Sequence, residues 1–294
     1  MIVVTTPTGS IGHQVLENVL DNVPDSGELI RVIARDPSRL PSQTRERVDV
    51  VQGSMDDIDV VTKAFNGADT VFWLVPPYSN AESIEGYALD FTRPACEAIT
   101  SQGVKRVVGV SSLGRGAATS TGLGSYAMDG LIESTGVSYR ALRMPGFMEN
   151  MLHQVEPIKN QGMFFLPASG NRKLPTCATR DIAAAAARLL LDDSWSGQDS
   201  VPILGPEDLS YNDMAQIMSE VLQRPIRFQQ VPGDAYKATL MQHGMNEAWA
   251  QGVVDLLAKI DKGLYNAEPR TPQSTTPTSF RQWCEEVLKP AVLA

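Results

Sequence analysis

The residues with the clearest chemical potential are a short run near the start, Thr6-Pro7-Thr8-Gly9-Ser10-Ile11-Gly12, and two arginines further on, Arg35 and Arg39. The run follows an apolar stretch at residues 2–5 and leads into Ile11, Val15, Val19 and Leu20 at helical spacing. A strand that hands over to a helix through glycines turns backbone N–H groups and the positive end of the helix dipole toward an anion. Gly9 and Gly12 put no side chain between that backbone and a phosphate, so the turn suits a dinucleotide pyrophosphate. Thr6 stands where such a turn usually has its first glycine.

Arg35 closes a second apolar run, residues 29–34, at the position where a carboxylate would accept from the ribose 2′-hydroxyl of NAD(H). A guanidinium there, with Arg39 four residues on, can instead hold a 2′-phosphate bidentately. The expected coenzyme is therefore NADP(H) in preference to NAD(H). Asp36 next door keeps open the alternative that both arginines are ordinary surface charges.

The elements that must position these groups follow from periodicity. Further strands are expected at residues 48–52, 70–75, 107–110 and 139–142, with helix-length segments between them. Asp56 and Asp57 can cap a helix reaching Ala64 and Phe65, and Ile84, Ala88, Phe91, Ala95 and Ile99 mark one face of a long helix ending at Gly103. Continuous apolar strands alternating with helices argue for a Rossmann-type, doubly wound parallel α/β sheet, covered on both faces. Its ligand sits beyond the carboxyl ends of the strands, in the loops at residues 6–12, 35–39, 53–56, 75–78, 111–116 and 144–150.

After Asn150 the texture changes. An alanine-rich helix is expected at residues 180–191 and a late strand at 201–204. Helices then dominate: 211–222 capped by Ser210, 235–243, 246–264, and a last one capped by Thr278 and running to Val287. The expected organisation is a dinucleotide-binding domain at 1–155 to which 176–204 returns. Residues 156–175 and 205–294 form a smaller, mostly helical substrate lobe.

Composition narrows the function. The chain has 294 residues, 43% apolar and 20% charged, with a net charge of −9. That length buries a core without staples, and the acidic balance disfavours a nucleic-acid surface. Three cysteines (Cys96, Cys177, Cys284) and three histidines (His13, His153, His243) are scattered in no metal-ligand pattern, so no metal site is expected. No apolar run approaches the ~18 residues of a membrane span, and no signal leader is recognisable. The expectation is a cytoplasmic protein, monomer or homodimer, acting on a small molecule, with neither nucleic acid nor membrane as partner.

Several stretches carry a resemblance. Thr8 to Gly12, Ala34-Arg35-Asp36-Pro37, Gly103-Val104-Lys105-Arg106-Val107-Val108 with Ser111-Ser112, and Leu142-Arg143-Met144-Pro145-Gly146-Phe147-Met148-Glu149-Asn150 resemble the NmrA-like atypical short-chain dehydrogenases/reductases. Within that group the likeness is greatest to NAD(P)H-dependent quinone oxidoreductases, and it extends through Ala178-Thr179-Arg180-Asp181-Ile182 and Gly205-Pro206-Glu207-Asp208-Leu209-Ser210. The resemblance implies that Thr6, Thr8, Gly9, Ser10, Ile11 and Gly12 cradle the pyrophosphate, and that Arg35, with Arg39, meets the 2′-phosphate. It also implies that Leu74, Val75 and Pro76 line the adenosine and ribose side, while Gly146, Phe147, Glu149, Asn150 and Arg180 border the nicotinamide. Ser54 stands where the family often has an aspartate near the adenine.

Ordinary short-chain dehydrogenases pair a tyrosine with a lysine four residues on, the cation lowering the tyrosine pKa. Tyr126 is placed for that tyrosine, but Gly130 follows at the fourth position. Tyr126 is thus either a proton donor without its lysine or a packing residue at a helix start. A quinone spreads the arriving charge over its ring and can take its proton from water, so the missing lysine points to quinones or similar conjugated acceptors. It equally motivates an NADP(H)-binding redox sensor without turnover, the role of the family's founding member.

Tyr78, beyond Pro76-Pro77, is a candidate to touch substrate, and Met148 and Met151, with Met163, to wall an apolar pocket. Phe72 and Trp73 are expected in the core, His13 on a helix surface, and Asp192-Asp193 in solvent. Gly109-Val110-Ser111-Ser112-Leu113 is not the Gly-x-Ser-x-Gly elbow of a serine hydrolase.

Overall fold

The apolar runs become strands β1 (Ile2–Val4), β2 (Ile30–Ala34), β3 (Asp49–Gln52), β4 (Thr70–Trp73), β5 (Arg106–Ser112) and β6 (Ser138–Met144). Six further strands follow: β7 (Gly146–Phe147), β8 (Met163–Leu166), β9 (Leu174–Cys177), β10 (Gln198–Pro202), β11 (Asp208–Leu209) and β12 (Arg227–Gln230). The first six helices are α1 (Ser10–Asn22), α2 (Ser42–Glu46), α3 (Ile58–Phe65), α4 (Ile84–Gln102), α5 (Ser125–Ser134) and α6 (Val155–Gln161). After them come α7 (Thr179–Leu191), α8 (Tyr211–Leu222), α9 (Gly233–Gln242), α10 (Glu247–Asp261), α11 (Phe280–Trp283) and α12 (Lys289–Leu293). This computed structural model describes residues 1–23, 27–115 and 124–294; Gly116, the far end of the loop expected after β5, lies outside them.

Seven strands form one parallel sheet in the order β10-β6-β5-β4-β1-β2-β3. The chain leaves β1 in one direction through β2 and β3, then crosses to β4 on the other side. The switch point, and with it the crevice a ligand would use, lies beyond the ends of β1 and β4. Because successive strand residues point to opposite faces, Val4, Val32, Phe72 and Val108 join α1 and α7 in one core. Val3, Ile33, Val71, Trp73 and Val107 join α3, α4 and α5 in the other. The fully buried Ala183 and Ala186 let α7 pack close against α1.

Local signals explain the element ends. Asp57 caps α3, accepting from the Asp59 N–H at 2.9 Å. Ser83 caps α4 and Gly103 ends it at φ +68°, a left-handed conformation that glycine adopts without strain. Ser210 and Asp213 form a reciprocal capping box on α8.

The C-terminal part has its own core, built from Met148, Ile158, Phe164, Met214, Met218, Phe280 and Trp283, and two small sheets, β11-β9-β7 and β12-β8. Its last helical stretch begins one residue later than expected. The buried Asp181 carboxylate takes both the Thr278 N–H (3.1 Å) and its hydroxyl (2.8 Å). Ser279 therefore supplies the cap to Gln282. Among the described residues no helix is long and apolar enough to cross a membrane.

Candidate active site

β1 ends in a turn whose geometry is set by Thr6. Its φ is +52°, an uncommon conformation for a β-branched residue, and its carbonyl accepts from the Gly9 N–H at 2.9 Å. Gly9 then caps α1 with ordinary extended dihedrals, no side-chain cap and no acidic residue in the first turn. The first amides of α1 keep their hydrogen-bonding capacity for a ligand. The two glycines differ in what requires them. A Cβ on Gly12 would collide with the Thr6 carbonyl oxygen and lie 2.5 Å from its hydroxyl, so the packing of helix on turn excludes one. A Cβ on Gly9 would meet Thr6 O at an ordinary 3.4 Å; the protein tolerates it, and only a ligand pressed against the backbone would not. The Thr6 hydroxyl is itself buried without a partner. These features fit a pyrophosphate.

At the end of β2, Arg35 and Arg39 are exposed, and no carboxylate forms an ion pair with either among the described residues. Asp36 caps the short turn Pro37–Arg39, its Oδ1 accepting from the Ser38 N–H (3.0 Å) and hydroxyl (2.6 Å). The Ser38 hydrogen bonds hold its carboxyl below the ordinary range. Two exposed guanidiniums that make no ion pair among the described residues suit a phosphate.

Beyond β4, Leu74, Val75 and Pro76 are half-buried, and the Pro76 carbonyl accepts from the Tyr87 hydroxyl at 3.1 Å. Tyr78 is 51% exposed, its ring 5.5 Å from that of Tyr87. Asn246, the cap of α10, clasps the same loop, its N–H on Ser79 O (3.0 Å) and its amide on Ala81 O (2.8 Å).

Of the 146–150 run and Arg180, Glu149 and Arg180 have their side chains engaged in contacts with residues 278–286. Glu149 accepts from the Thr179 N–H (3.0 Å) at the start of α7 and from the Trp283 indole (3.2 Å). Arg180 reaches Thr278 Oγ1 (2.9 Å) and Glu286 (2.5 Å). Phe147 sits in register with Cys177, Gly146 has open space at its Cα, and Asn150 is exposed. Met148 and Met151 are buried in the C-terminal core.

Tyr126, half-buried on α5, donates its hydroxyl to the Leu113 carbonyl. Burial raises its pKa, the opposite of what a nearby lysine would do. Gly130 is exposed, and a side chain there would extend toward Arg115, whose guanidinium is held bidentately by Glu133. Next to these lies Asp129, fully buried, accepting from Ser111 Oγ (2.5 Å) and Tyr139 OH (2.6 Å). Burial pushes the Asp129 pKa up.

Sequence reading missed the groups around Tyr126 that come from afar: Arg143 on β6, and Tyr265 and Glu268 from the C-terminal end. Arg143, just past the apolar run of β6, could have been found as a strand-end residue; nothing local marks Glu268. Among the described residues no group of three or more histidines, cysteines or acids is placed to hold a metal ion.

Comparison with known proteins places this geometry in context. The model of the NmrA-like family matches residues 1–262. The chain is 24% identical over 261 residues to the NAD(P)H azoreductase of Xenophilus azovorans, covering 88% of this chain and 86% of the relative. It is 24% identical over 265 residues to quinone oxidoreductase 2 of Escherichia coli (strain K12), covering 90% and 87%. Among solved structures, the triphenylmethane reductase of Citrobacter sp. complexed with NADP(H) superposes with a TM-score of 0.83 at 19% identity, covering 99% of this chain and all of that one.

Proposed function

The chain belongs to the NmrA-like family, and on that premise we propose that it is an NADPH-dependent oxidoreductase that passes hydride to a small conjugated acceptor such as a quinone. The observation that carries the reading is the start of α1 at Gly9, without a side-chain cap, with two exposed arginines at the end of the neighbouring strand that make no ion pair among the described residues. Relatives named for NAD(P)H azoreductase and quinone oxidoreductase activity support it.

In this reading residues 6–12 hold the pyrophosphate through backbone amides, and Arg35 with Arg39 binds the 2′-phosphate. Leu74, Val75 and Pro76 form the ribose wall. When bound, the nicotinamide supplies the hydride. The chain's own task is to orient the coenzyme, keep water from its reactive face, and accommodate the negative charge that reaches the acceptor. Tyr78 borders the acceptor from the loop past β4, while Met148 and Met151 act from the core behind it. The backbone of residues 146–150 lies at the nicotinamide end, its side chains fixing the lobes. We assign residues 1–155 and 176–204 to the coenzyme domain and the remainder to the acceptor lobe, in a cytoplasmic protein.

A second reading, an NADP(H)-binding redox sensor, is favoured by one observation: the Tyr126 hydroxyl donates to a backbone carbonyl with Gly130 at the lysine position. One assay separates the two. Protein, NADPH and a panel of quinones are mixed and the reduced-nicotinamide absorbance is followed. Turnover is the expected result. Tight binding without turnover, with different affinities for NADP⁺ and NADPH, would establish the sensor instead.

A further inference from the structure

Residues 264–268 lie past the span that the family model matches, yet they bring two side chains to the carboxyl ends of β5 and β6. Glu268 accepts from Arg143 Nη1 at 3.1 Å, the two side chains only 19% and 24% exposed. Tyr265, fully enclosed, sets its hydroxyl 3.5 Å from Ser112 Oγ. In the sheet Arg143 lies directly across from Ser111, two residues before the Leu113 carbonyl that engages Tyr126. The Arg143 Nε is buried with no partner. Its guanidinium is thus held on one side by Glu268 and left unsatisfied on another, at the strand end where the reaction would occur.

We propose that Arg143 and Glu268 are positioning residues for Tyr126: Glu268, carried over from the C-terminal lobe, holds the Arg143 guanidinium near the tyrosine hydroxyl, supplying from β6 the cation that position 130 does not. The inference rests on the reductase reading, with Tyr126 as the proton donor. The groups that act on the hydroxyl are Ser112 and the Leu113 carbonyl from β5, Asp129 from its own helix, Arg143 from β6, and Tyr265 and Glu268 from the C-terminal segment. Burial, Asp129 and Glu268 favour the protonated phenol; Ser112 and Arg143 favour the phenolate.

Burial keeps Tyr126 protonated before the reaction, and the pair places a cation beside the phenolate after it. The step balances simply. The acceptor gains the hydride of the reduced nicotinamide and becomes an anion, reduced by two electrons. The Tyr126 O–H bond then breaks, its proton going to the acceptor's negative oxygen or nitrogen, and water reprotonates the phenolate.

The two partners act on Tyr126 with opposite sign, which separates this role from structural damage. Full-length E268Q, R143Q, R143K and Y126F are compared with the parent protein, thermal unfolding confirming that each folds. Two quantities are followed against pH: kcat/KM for NADPH-dependent quinone reduction, and the ultraviolet absorbance of tyrosinate in the coenzyme-free protein, with the Y126F signal subtracted. E268Q is expected to move the alkaline limb and the Tyr126 titration to lower pH by on the order of one unit. R143Q should move both to higher pH, R143K should stay near the parent, and Y126F should abolish the limb. Shifts of the same sign in E268Q and R143Q, or no shift in either, would overturn the proposal. Opposite shifts of the tyrosinate signal in a protein that turns over no quinone would sink the reductase reading and leave the action of the pair on Tyr126 intact.

Discussion

Gly12 lies against Thr6 so closely that a single added methyl group would strike the threonine's carbonyl and hydroxyl oxygens. A Cβ on Gly9, three residues earlier, would meet only ordinary contacts with the Thr6 carbonyl oxygen and Cβ. Gly12→Ala is therefore expected to push α1 off its turn and cost about 1–3 kcal/mol of stability, lowering the unfolding midpoint. Gly9→Ala should fold with a change within about 0.5 kcal/mol but bind NADPH weakly, because its methyl occupies the path of the phosphates. Thermal unfolding and titration calorimetry on both variants check this. Loss of stability in G9A, or intact NADPH binding, would contradict the division of roles.

The contrast also shows what could be seen in the sequence. The six principal strands were legible as continuous apolar runs and the helices α4, α7 and α8 by their apolar faces, and Ser210 and Gly103 mark ends by their own chemistry. The late strand was expected at 201–204 and forms at Gln198–Pro202, where polar residues on a sheet edge hide the period. The small strands β7, β8, β9, β11 and β12 were missed, since each is set in mixed sequence broken by glycine or proline. The glycine turn and the strand-end arginines were visible for the same local reason. Partners such as Glu149 with Trp283, or Arg143 with Glu268, are more than a hundred residues apart, and only the fold brings them together.

Glu149 resembles a coenzyme-site residue in sequence, but its two carboxylate oxygens serve the Thr179 N–H and the Trp283 indole. Glu149→Gln retains one acceptor and turns an NH₂ toward the other donor. The expected cost is about 1–3 kcal/mol for the donor left unpaired, with a change in Trp283 fluorescence and little change in NADPH affinity. Urea unfolding followed by fluorescence, together with calorimetry, tests this. An affinity loss without destabilisation would return Glu149 to the coenzyme.

Asp129 should make stability depend on pH. Its folded pKa is raised, chiefly by burial, above a usual value of 3.8, so the native state binds more protons than the unfolded state between those two values. Stability contributed by this group consequently falls as pH rises through that window and levels off above the folded pKa. Asp129→Asn removes the titration while keeping one acceptor for Ser111 or Tyr139. The stability of D129N relative to the parent should therefore improve as pH rises through the mildly acidic range and then flatten. Urea unfolding at a series of pH values measures the difference, and a constant difference across the range would refute the assignment.

In the proposed function Arg35 is the residue that would favour NADPH over NADH. It is exposed at the end of β2, and the nearby Asp36 carboxylate gives its Oδ1 to the Ser38 N–H and hydroxyl. A 2′-phosphate would meet the guanidinium as an ion pair, which the uncharged 2′-hydroxyl of NADH cannot form. A hydrogen bond to a charged group contributes about 1.5–3 kcal/mol, so Arg35→Ala should weaken NADPH binding by roughly 10- to 150-fold and leave NADH binding nearly unchanged. Because the interaction is ionic and exposed, NADPH affinity in the parent protein should fall with added salt more steeply than NADH affinity. Arg39→Ala should have a smaller effect of the same kind if Arg35 makes the bidentate contact, and the larger one if the roles are exchanged. Calorimetric titration of both coenzymes at two salt concentrations reads all three effects. Equal losses for NADPH and NADH in both variants would show that neither arginine senses the extra phosphate.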